Sequence, residues 1–414
     1  MGSMGDEGEF KGYEQHQGTL LPAYVGDALD RSDVTFFIDD AVEGLDLGAF
    51  ERRYSTMGEH AYPPRMLLKV WMLGAIVGEY SGRALARRLY FDLRFQYLAG
   101  ALRPDFRTIN RFRERHRAEF AEVFLQTVQI ARASGLAKLG RVAIDGSKLR
   151  ANTSRHKAMS HGRMVEAEAQ LADEVGQILA QMDELNEGEE REHGDDEGGG
   201  GLPQELQFRE QRRARIRVAC AQLETEKGEK LEPQHQKSFA DPEANMMKMG
   251  DGALGYCYNA QAATSEDGII VATGLSAAAN DVTELIPMIE AVSANTGECP
   301  GVALADHGYL SEATLAELDR RGQRCWVAVG RERRKGTHWP RGEFTQRMHR
   351  VLRFGWAQTL YAHRKTQAER PFAEIKQRLR FQRFMLRGEE KARGEWNLVC
   401  AALNLQTLWR RAPA

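Results

Sequence analysis

Arg141-Val142-Ala143-Ile144-Asp145-Gly146 is a short run of β-branched and small apolar residues that ends at an acid. It reads as a strand whose last side chain is a carboxylate. Val302-Ala303-Leu304-Ala305-Asp306 has the same form. Around these two runs lie further strand-like stretches, Tyr256 to Ala262, Ile269 to Ala272 and Cys325 to Val329. Helical stretches separate them: Asp281 to Ser293, then Ser311 to Arg321 with Ser311 as candidate N-cap, then a mainly helical segment from Tyr361 to the end. Strands alternating with helices predict a layered α/β domain.

Upstream of Gly140 the period is different. Apolar spacing begins between Phe36 and Phe50, and residues 63 to 135 read as helical. Met66-Leu67-Leu68-Lys69-Val70-Trp71-Met72-Leu73 is nearly continuous in apolar residues, as a buried helix requires. A second helix is expected from Ser81, as N-cap, to Ala99. Arg103-Pro104-Asp105 then leads into a helix carrying Arg107, Arg111, Arg113, Arg115 and Arg117, the way a helix-turn-helix presents its second helix to DNA. Residues 160 to 226 interrupt the α/β pattern. Val165 to Leu185 and Phe208 to Leu223 predict two helices of a hairpin, joined by an acidic, Gly-rich linker over 186–201 that reads as disordered.

The net charge of −2 hides an uneven distribution. Residues 183–197 hold nine acids and one base, so the rest of the chain carries +6. Residues 320–394 hold 21 Lys/Arg against 6 Asp/Glu, a net of +15, interleaved with Trp326, Trp339, Phe354, Trp356, Tyr361, Phe381 and Phe384. Such a block is the electrostatic footprint of a phosphate-binding surface. Trp339 and Trp356 are candidates to stack on a flipped base, with core packing the expectation for Trp326. The five cysteines form no CxxC pair, which argues against a zinc ribbon and a disulfide framework. No apolar run is long enough to span a bilayer, and the first thirty residues lack a signal-peptide core. A cytoplasmic, nucleoid-associated protein without a membrane partner is expected. Met1-Gly2-Ser3-Met4 reads as a cloning remnant with Met4 as the natural start.

Asp145 and Asp306, each closing a strand, stand where α/β sheets place their active sites, and carboxylate oxygens suit hard divalent cations. Each alone is also consistent with a tight turn, Asp145-Gly146 or Asp306-His307-Gly308. The third element is Tyr361-Ala-His-Arg364-Lys365-Thr-Gln-Ala-Glu369-Arg370-Pro371-Phe372-Ala373-Glu374-Ile375-Lys376. Glu369 and Lys376 are seven apart, so on a helix they share a face about 10 Å apart along the axis. Ala368, Phe372, Ile375 and Leu379 form an adjoining apolar stripe that would dock on the sheet. Pro371 predicts that the helix starts or bends near Glu369, and Glu374 is a rival for the third carboxylate.

Taken in order, these pieces resemble the bacterial insertion-sequence transposases of the DDE type. The likeness is carried by Ala143-Ile144-Asp145-Gly146-Ser147-Lys148-Leu149-Arg150-Ala151-Asn152, by Ala305-Asp306-His307-Gly308-Tyr309, and by the Tyr361, Arg364, Glu369, Lys376 series. It extends to Lys11-Gly12-Tyr13, Pro64-Arg65-Met66-Leu67-Leu68 and Arg103-Pro104-Asp105. The resemblance implies an α/β, ribonuclease-H-like mixed sheet flanked by helices over 136–414, interrupted by a helical insertion over 155–235. A helical DNA-binding or dimerisation domain over 1–135 precedes it. It implies that Asp145, Asp306 and Glu369 bind two Mg²⁺ ions, with Mn²⁺ as a substitute, for cleavage at element ends and strand transfer. Tyr361, Arg364, Lys376, Lys148 and Asn152 would position DNA phosphates, and Arg107, Arg111 and Arg115 would add contacts from the N-terminal helix. The partners implied are double-stranded DNA, as terminal inverted repeats and target, and a second copy of the chain. Two other readings fit the same residues: a catalytically silent, transposase-derived DNA-binding protein, and a structure-specific nuclease of the same fold.

Overall fold

The computed structural model describes residues 24–54, 61–192, 204–329 and 342–412. The expectations for Lys11-Gly12-Tyr13, for Trp339 and for linker residues 193–201 lie outside them.

The N-terminal part is helical: α1 (Val34–Glu43), α2 (Gly48–Glu51), α3 (Pro64–Ile76), α4 (Gly82–Phe91), α5 (Leu93–Leu98), α6 (Phe106–Arg115) and α7 (Glu119–Ala133). Helix α3 is buried on every side from Met66 to Ile76, as its continuous apolar run demands. The one cation in that stretch, Lys69, reaches out to Asp39 at 2.5 Å and also to Glu43 on α1. Asp105 caps α6 through the Thr108 N–H at 2.7 Å. The single helix expected from Ser81 to Ala99 is two. Asp92 stands in an extended conformation between them and accepts the Arg94 N–H at 3.1 Å, starting a new helix there.

The α/β part follows as β1 (Val142–Arg150), β2 (Ala158–Ser160), α8 (His161–Glu192), α9 (Gln204–Lys227), β3 (Gln236–Ser238), β4 (Asn245–Lys248), β5 (Leu254–Ser265) and β6 (Ile270–Ser276). It continues with α10 (Leu285–Thr296), β7 (Ala303–Ala305), α11 (Glu312–Arg320), β8 (Cys325–Val327), α12 (Glu343–Val351), α13 (Gly355–Ala373) and α14 (Glu389–Arg411). The sheet is mixed, in the order β4-β5-β1-β7-β8, with β6 also on β5. Strand β1 is its hinge. It pairs antiparallel with β5 along its whole length and parallel with β7 at Val142 and Ala143. Strand β8 continues the parallel side.

Helix α14 ties the two parts together. It packs on α7, α3 and β6 and is buried almost throughout from Ala392 to Leu408. Its Asn404 is fully buried and fully used: it bonds both backbone groups of Ile270 at 2.9 Å and the Thr127 hydroxyl at 3.2 Å. Arg113 of α6, expected on an exposed arginine face, is buried instead. It meets Glu395 of α14 at 2.8 Å and lies 4.5 Å over the Trp71 ring.

Between β1 and β4, α8 and α9 pack around Met164, Leu171, Ile216, Ala219 and Leu223, with the β2–β3 ribbon at their base. Ion pairs Arg209–Glu174 (2.8 Å) and Arg217–Glu168 (2.7 Å) link the two helices. Helix α8 runs to Glu192, so the start of the acidic linker is helical. Three further expectations change. Helix α12 is additional to the helices that the sequence predicts. Ser311 precedes α11 in an extended conformation but its side chain caps nothing. Helix α13 does not start at Glu369; it runs from Gly355 to Ala373 with Pro371 inside it and Pro371 and Phe372 buried, and the hydrogen-bonding pattern changes after the proline. Residues Glu374–Arg378 form a π-turn, closed by the Leu379 N–H on the Glu374 carbonyl at 2.9 Å.

Candidate active site

Strand β1 does not end at Asp145 but continues to Arg150. What ends there is the parallel side. The β1–β7 register pairs Val142 with Ala303 and Ala143 with Leu304, and the same offset of 161 carries Asp145 to Asp306. Strand β7 stops at Ala305, and Asp306 turns the chain by accepting the Gly308 N–H at 2.7 Å with Oδ1. Asp145 accepts the Gly146 N–H at 3.0 Å, also with Oδ1. Each therefore spends one oxygen on a backbone N–H just after it. The turn reading holds for Asp306, whereas Asp145-Gly146 is no turn: both residues lie within β1, opposite Ala262 and Gln261 of β5.

Burial, and then the charge of Asp306, push the Asp145 carboxyl up to about 6, with Arg364 pulling the other way. A carboxylate held up by burial, with a second acid adding to the push, is short of positive charge. An all-oxygen donor set with that deficit fits a hard divalent cation such as Mg²⁺.

Successive residues of β1 face opposite sides. Asp145 and Ser147 face α13 and the π-turn that follows it: the ammonium of Lys376 bonds the Ser147 hydroxyl, and Ala143 shares an apolar cluster with Ala368 of α13. The sheet-facing stripe of α13 is Leu360, Tyr361, Arg364, Ala368, Phe372 and then Ile375, spaced at helical intervals. Tyr361 donates its hydroxyl to the Ala305 carbonyl at 3.0 Å, immediately before Asp306. Burial pulls Lys376 below the usual lysine range, while Asp145 holds it up. Glu369 sits at the edge of this stripe, about half exposed, with Arg364 at 3.6 Å. It opens onto a groove of about 940 Å³ lined also by Arg141, Glu266, His363, Arg370 and Arg410. Its rival Glu374 is held by Arg370 (3.1 Å), Arg378 (3.4 Å) and Arg410 (2.8 Å).

Of the remaining candidates, Arg107, Arg111 and Arg115 are exposed on α6. Asn152 bonds the Met385 carbonyl. Lys148 is on the face of β1 turned away from α13, its ammonium 3.3 Å from Asp281. Arg350, Arg353, Lys365, Arg380 and Arg383 of the basic block are exposed, as is Trp356, edge-on to the half-buried Trp326 with ring centres 5.4 Å apart.

Asp281 was missed by sequence reasoning, which reads it as the first residue of a helix. It lies in the turn before α10, and its carboxylate reaches under both strand-borne acids. Its presence adds to the upward push on Asp145. The only sequence signal was an acid in the Ala277-Ala278-Ala279-Asn280-Asp281 turn.

Paired acids on a mixed sheet, under a helix carrying arginine, lysine and a third acid, define a polynucleotidyl-transferase type of enzyme. Residues 25–115 match the family described as Transposase domain (DUF772), and residues 230–405 match Transposase DDE domain. The chain belongs to the insertion-sequence DDE transposases. Searches of curated proteins and of solved structures found no match.

Proposed function

We propose that the chain catalyses Mg²⁺-dependent cleavage at the ends of its element and transfer of the freed strand into target DNA. The observation that carries this is the β1–β7 register, which extended by two residues sets Asp145 beside Asp306, on the side of the sheet covered by α13 with Arg364 and Glu369 and by the π-turn with Lys376. Asp145, Asp306 and Glu369 would hold the metal. Two Mg²⁺ ions supply stabilisation of both the attacking and the leaving oxygen of an in-line displacement at phosphorus. The protein's own residues do the rest. Arg364 and Lys376 place fixed positive charge where a phosphate's non-bridging oxygens would sit. Tyr361 holds the end of β7, and with it Asp306. Lys148 and Asn152 are second-line contacts, and Arg107, Arg111 and Arg115 grip the backbone from the N-terminal helices.

We also infer that the sheet is ribonuclease-H-like and that 1–135, 136–414 and the 155–235 insertion act as separate functional units, with dimerisation on DNA. The antiparallel β5–β6 side and parallel β7–β8 side of β1 support the first reading.

The test is a duplex bearing the element's own end, incubated with protein and Mg²⁺. Nicked and joined products are expected, and Asp145→Ala, Asp306→Ala and Glu369→Ala should abolish both while sparing binding. Wild-type protein that binds yet neither nicks nor joins at any salt concentration sinks the proposal. Nicking without joining identifies a nuclease, and unchanged function in Asp145→Ala a silent DNA-binding protein. A mass still monomeric on end DNA removes the dimer.

A further inference from the structure

We infer that Asp281 is a positioning residue, which sets the spacing of Asp145 and Asp306 from the opposite face of the sheet. This rests on reading those two acids as the catalytic pair. Register puts Gly146 opposite Gln261 and Lys148 opposite Asn259, so all four share the face turned away from α13. Asp281 closes that face. Its Oδ1 accepts from Asn259 Nδ2 at 2.7 Å, from Gln261 Nε2 at 2.8 Å and from Lys148 Nζ at 3.3 Å. Gln261 in turn accepts the hydroxyl of Tyr309, which is buried just beyond Asp306. One carboxylate therefore ties β1 and β5 to the turn that carries Asp306.

Two glycines make room for it. A Cβ at position 146, next to Asp145, would stand 2.4 Å from Gln261 Nε2 and 2.8 Å from Asp281 Oδ1. A Cβ at position 308, two residues after Asp306, would stand 3.0 Å from Asp306 Oδ1 and 3.3 Å from Asp281 Oδ2. Neither glycine has a positive φ, so neither is required by its backbone conformation. The space their side chains would take is filled at 146 by Gln261 and Asp281, and at 308 by Asp306 and Asp281. The two oxygens of one carboxylate thus face the strand position beside Asp145 and the turn after Asp306, one each. Groups of this kind, which do not touch the reacting atoms, set the precision of those that do.

The experiment compares Asp281→Asn, Gly308→Ala and Asp281→Ala, alone and with Gly308→Ala combined in the last. Each is read by single-turnover cleavage at saturating Mg²⁺, end-DNA affinity, Mn²⁺ binding to the DNA-free protein followed by electron paramagnetic resonance, and thermal melting. Asp281→Asn keeps the shape. It is expected to slow cleavage about 10- to 100-fold and to weaken Mn²⁺ binding by a similar factor, with DNA affinity and melting near wild type. Gly308→Ala should act in the same direction, and in the Asp281→Ala background it should lose the part of its effect that comes from Asp281 Oδ2, keeping the part due to the closer Asp306 Oδ1. Should Asp281→Asn fail to fold, Asn259→Ala, which keeps the carboxylate and removes one of the donors that hold it, carries the same test. Wild-type rate and Mn²⁺ affinity in Asp281→Asn and Gly308→Ala overturn the inference. So does full additivity of Gly308→Ala with Asp281→Ala. Asp145→Asn is run alongside: if it cleaves normally, the catalytic pair itself is wrong; if it is dead while Asp281→Asn is normal, only the positioning role is.

Discussion

The guanidinium of Arg364 lies 3.6 Å from the Glu369 carboxylate, and its charge also reaches Asp145. It thereby couples the helix-borne acid to the strand-borne acids. Arg364→Ala is expected to lower the cleavage rate about 100- to 1,000-fold, the usual cost of deleting a preorganised charge at a reacting phosphate. Binding to end DNA should fall far less. Arg364→Lys should not recover the rate, because an ammonium lacks the planar, bidentate fork of the guanidinium. Single-turnover cleavage and a binding isotherm for each variant decide it; a rate loss matched by an equal loss of affinity would make Arg364 a mere phosphate anchor.

Asp145 gives a pH-dependent signature in metal-free protein. Its carboxyl is raised from the ordinary aspartate value of 3.8 to about 6 in the fold. A group raised in this way helps the fold while it is protonated, below about pH 4. That help is lost as pH rises through about 6. Above pH 7 the ionised Asp145 therefore costs the fold on the order of 3 kcal/mol, the equivalent of that shift. Asp145→Asn, neutral and of the same shape, should melt several degrees above wild type at pH 8 in chelator. The gap should close near pH 4. Mg²⁺ should raise the wild-type melting temperature and leave that of the variant nearly unmoved. Scanning calorimetry at the two pH values, with and without Mg²⁺, checks all three; an Asp145→Asn variant less stable than wild type at pH 8 refutes the assignment.

The acids of β1 and β7 are legible in the sequence because each follows a short apolar run, a local pattern. Their register is not, since it depends on a crossover through the whole of β5, β6 and α10. Asp281 is hidden for the same reason: its role is defined by partners on β1 and β5, 20 or more residues away. The start of helix α13 is misread because Pro371 carries a strong local rule. Tertiary packing overrides that rule by burying Pro371 and Phe372 and deferring the irregularity to the π-turn. The arginines of α6 read as one exposed set. The period of the helix is right, but Arg113 falls on its buried side, and only the distant Glu395 explains how a cation can be there.

The Arg113–Glu395 pair should behave as a buried ion pair that joins the N-terminal helices to α14. Both side chains are nearly inaccessible, and Glu395 also accepts the N–H groups of Met385 (2.7 Å) and Leu386 (3.0 Å). Removing one partner leaves a charge without compensation, so Arg113→Ala and Glu395→Ala should each cost about 3–5 kcal/mol. Arg113→Met with Glu395→Leu should recover part of that loss, though not the two backbone bonds. Urea unfolding followed at Trp71 and Trp396 should show a single transition, since the pair and Asn404 bind both halves into one core. Two separated transitions in wild type would show that α14 does not couple them.

The exposed arginines of the same helix should act on DNA and leave stability alone. Arg107, Arg111 and Arg115 lie on the solvent side of α6, with Arg107 5.5 Å from the Phe106 ring centre and Arg115 5.2 Å from that of Tyr54. Stacked guanidiniums of this kind are already held in place, so they can meet phosphates at little entropic cost. Each Arg→Ala change should weaken binding to end DNA and to unrelated duplex alike. It should also reduce the slope of log affinity against log salt by about 0.9 for every phosphate that is no longer neutralised. The melting temperature should stay within a degree or two, in contrast to Arg113→Ala. If instead one of these variants loses affinity for the element's end while keeping it for unrelated DNA, that arginine reads a base edge, and α6 enters the major groove as a recognition helix. If all three variants bind as wild type with an unchanged salt slope, the DNA path does not cross α6, and the exposed arginines of residues 342–394 carry the grip.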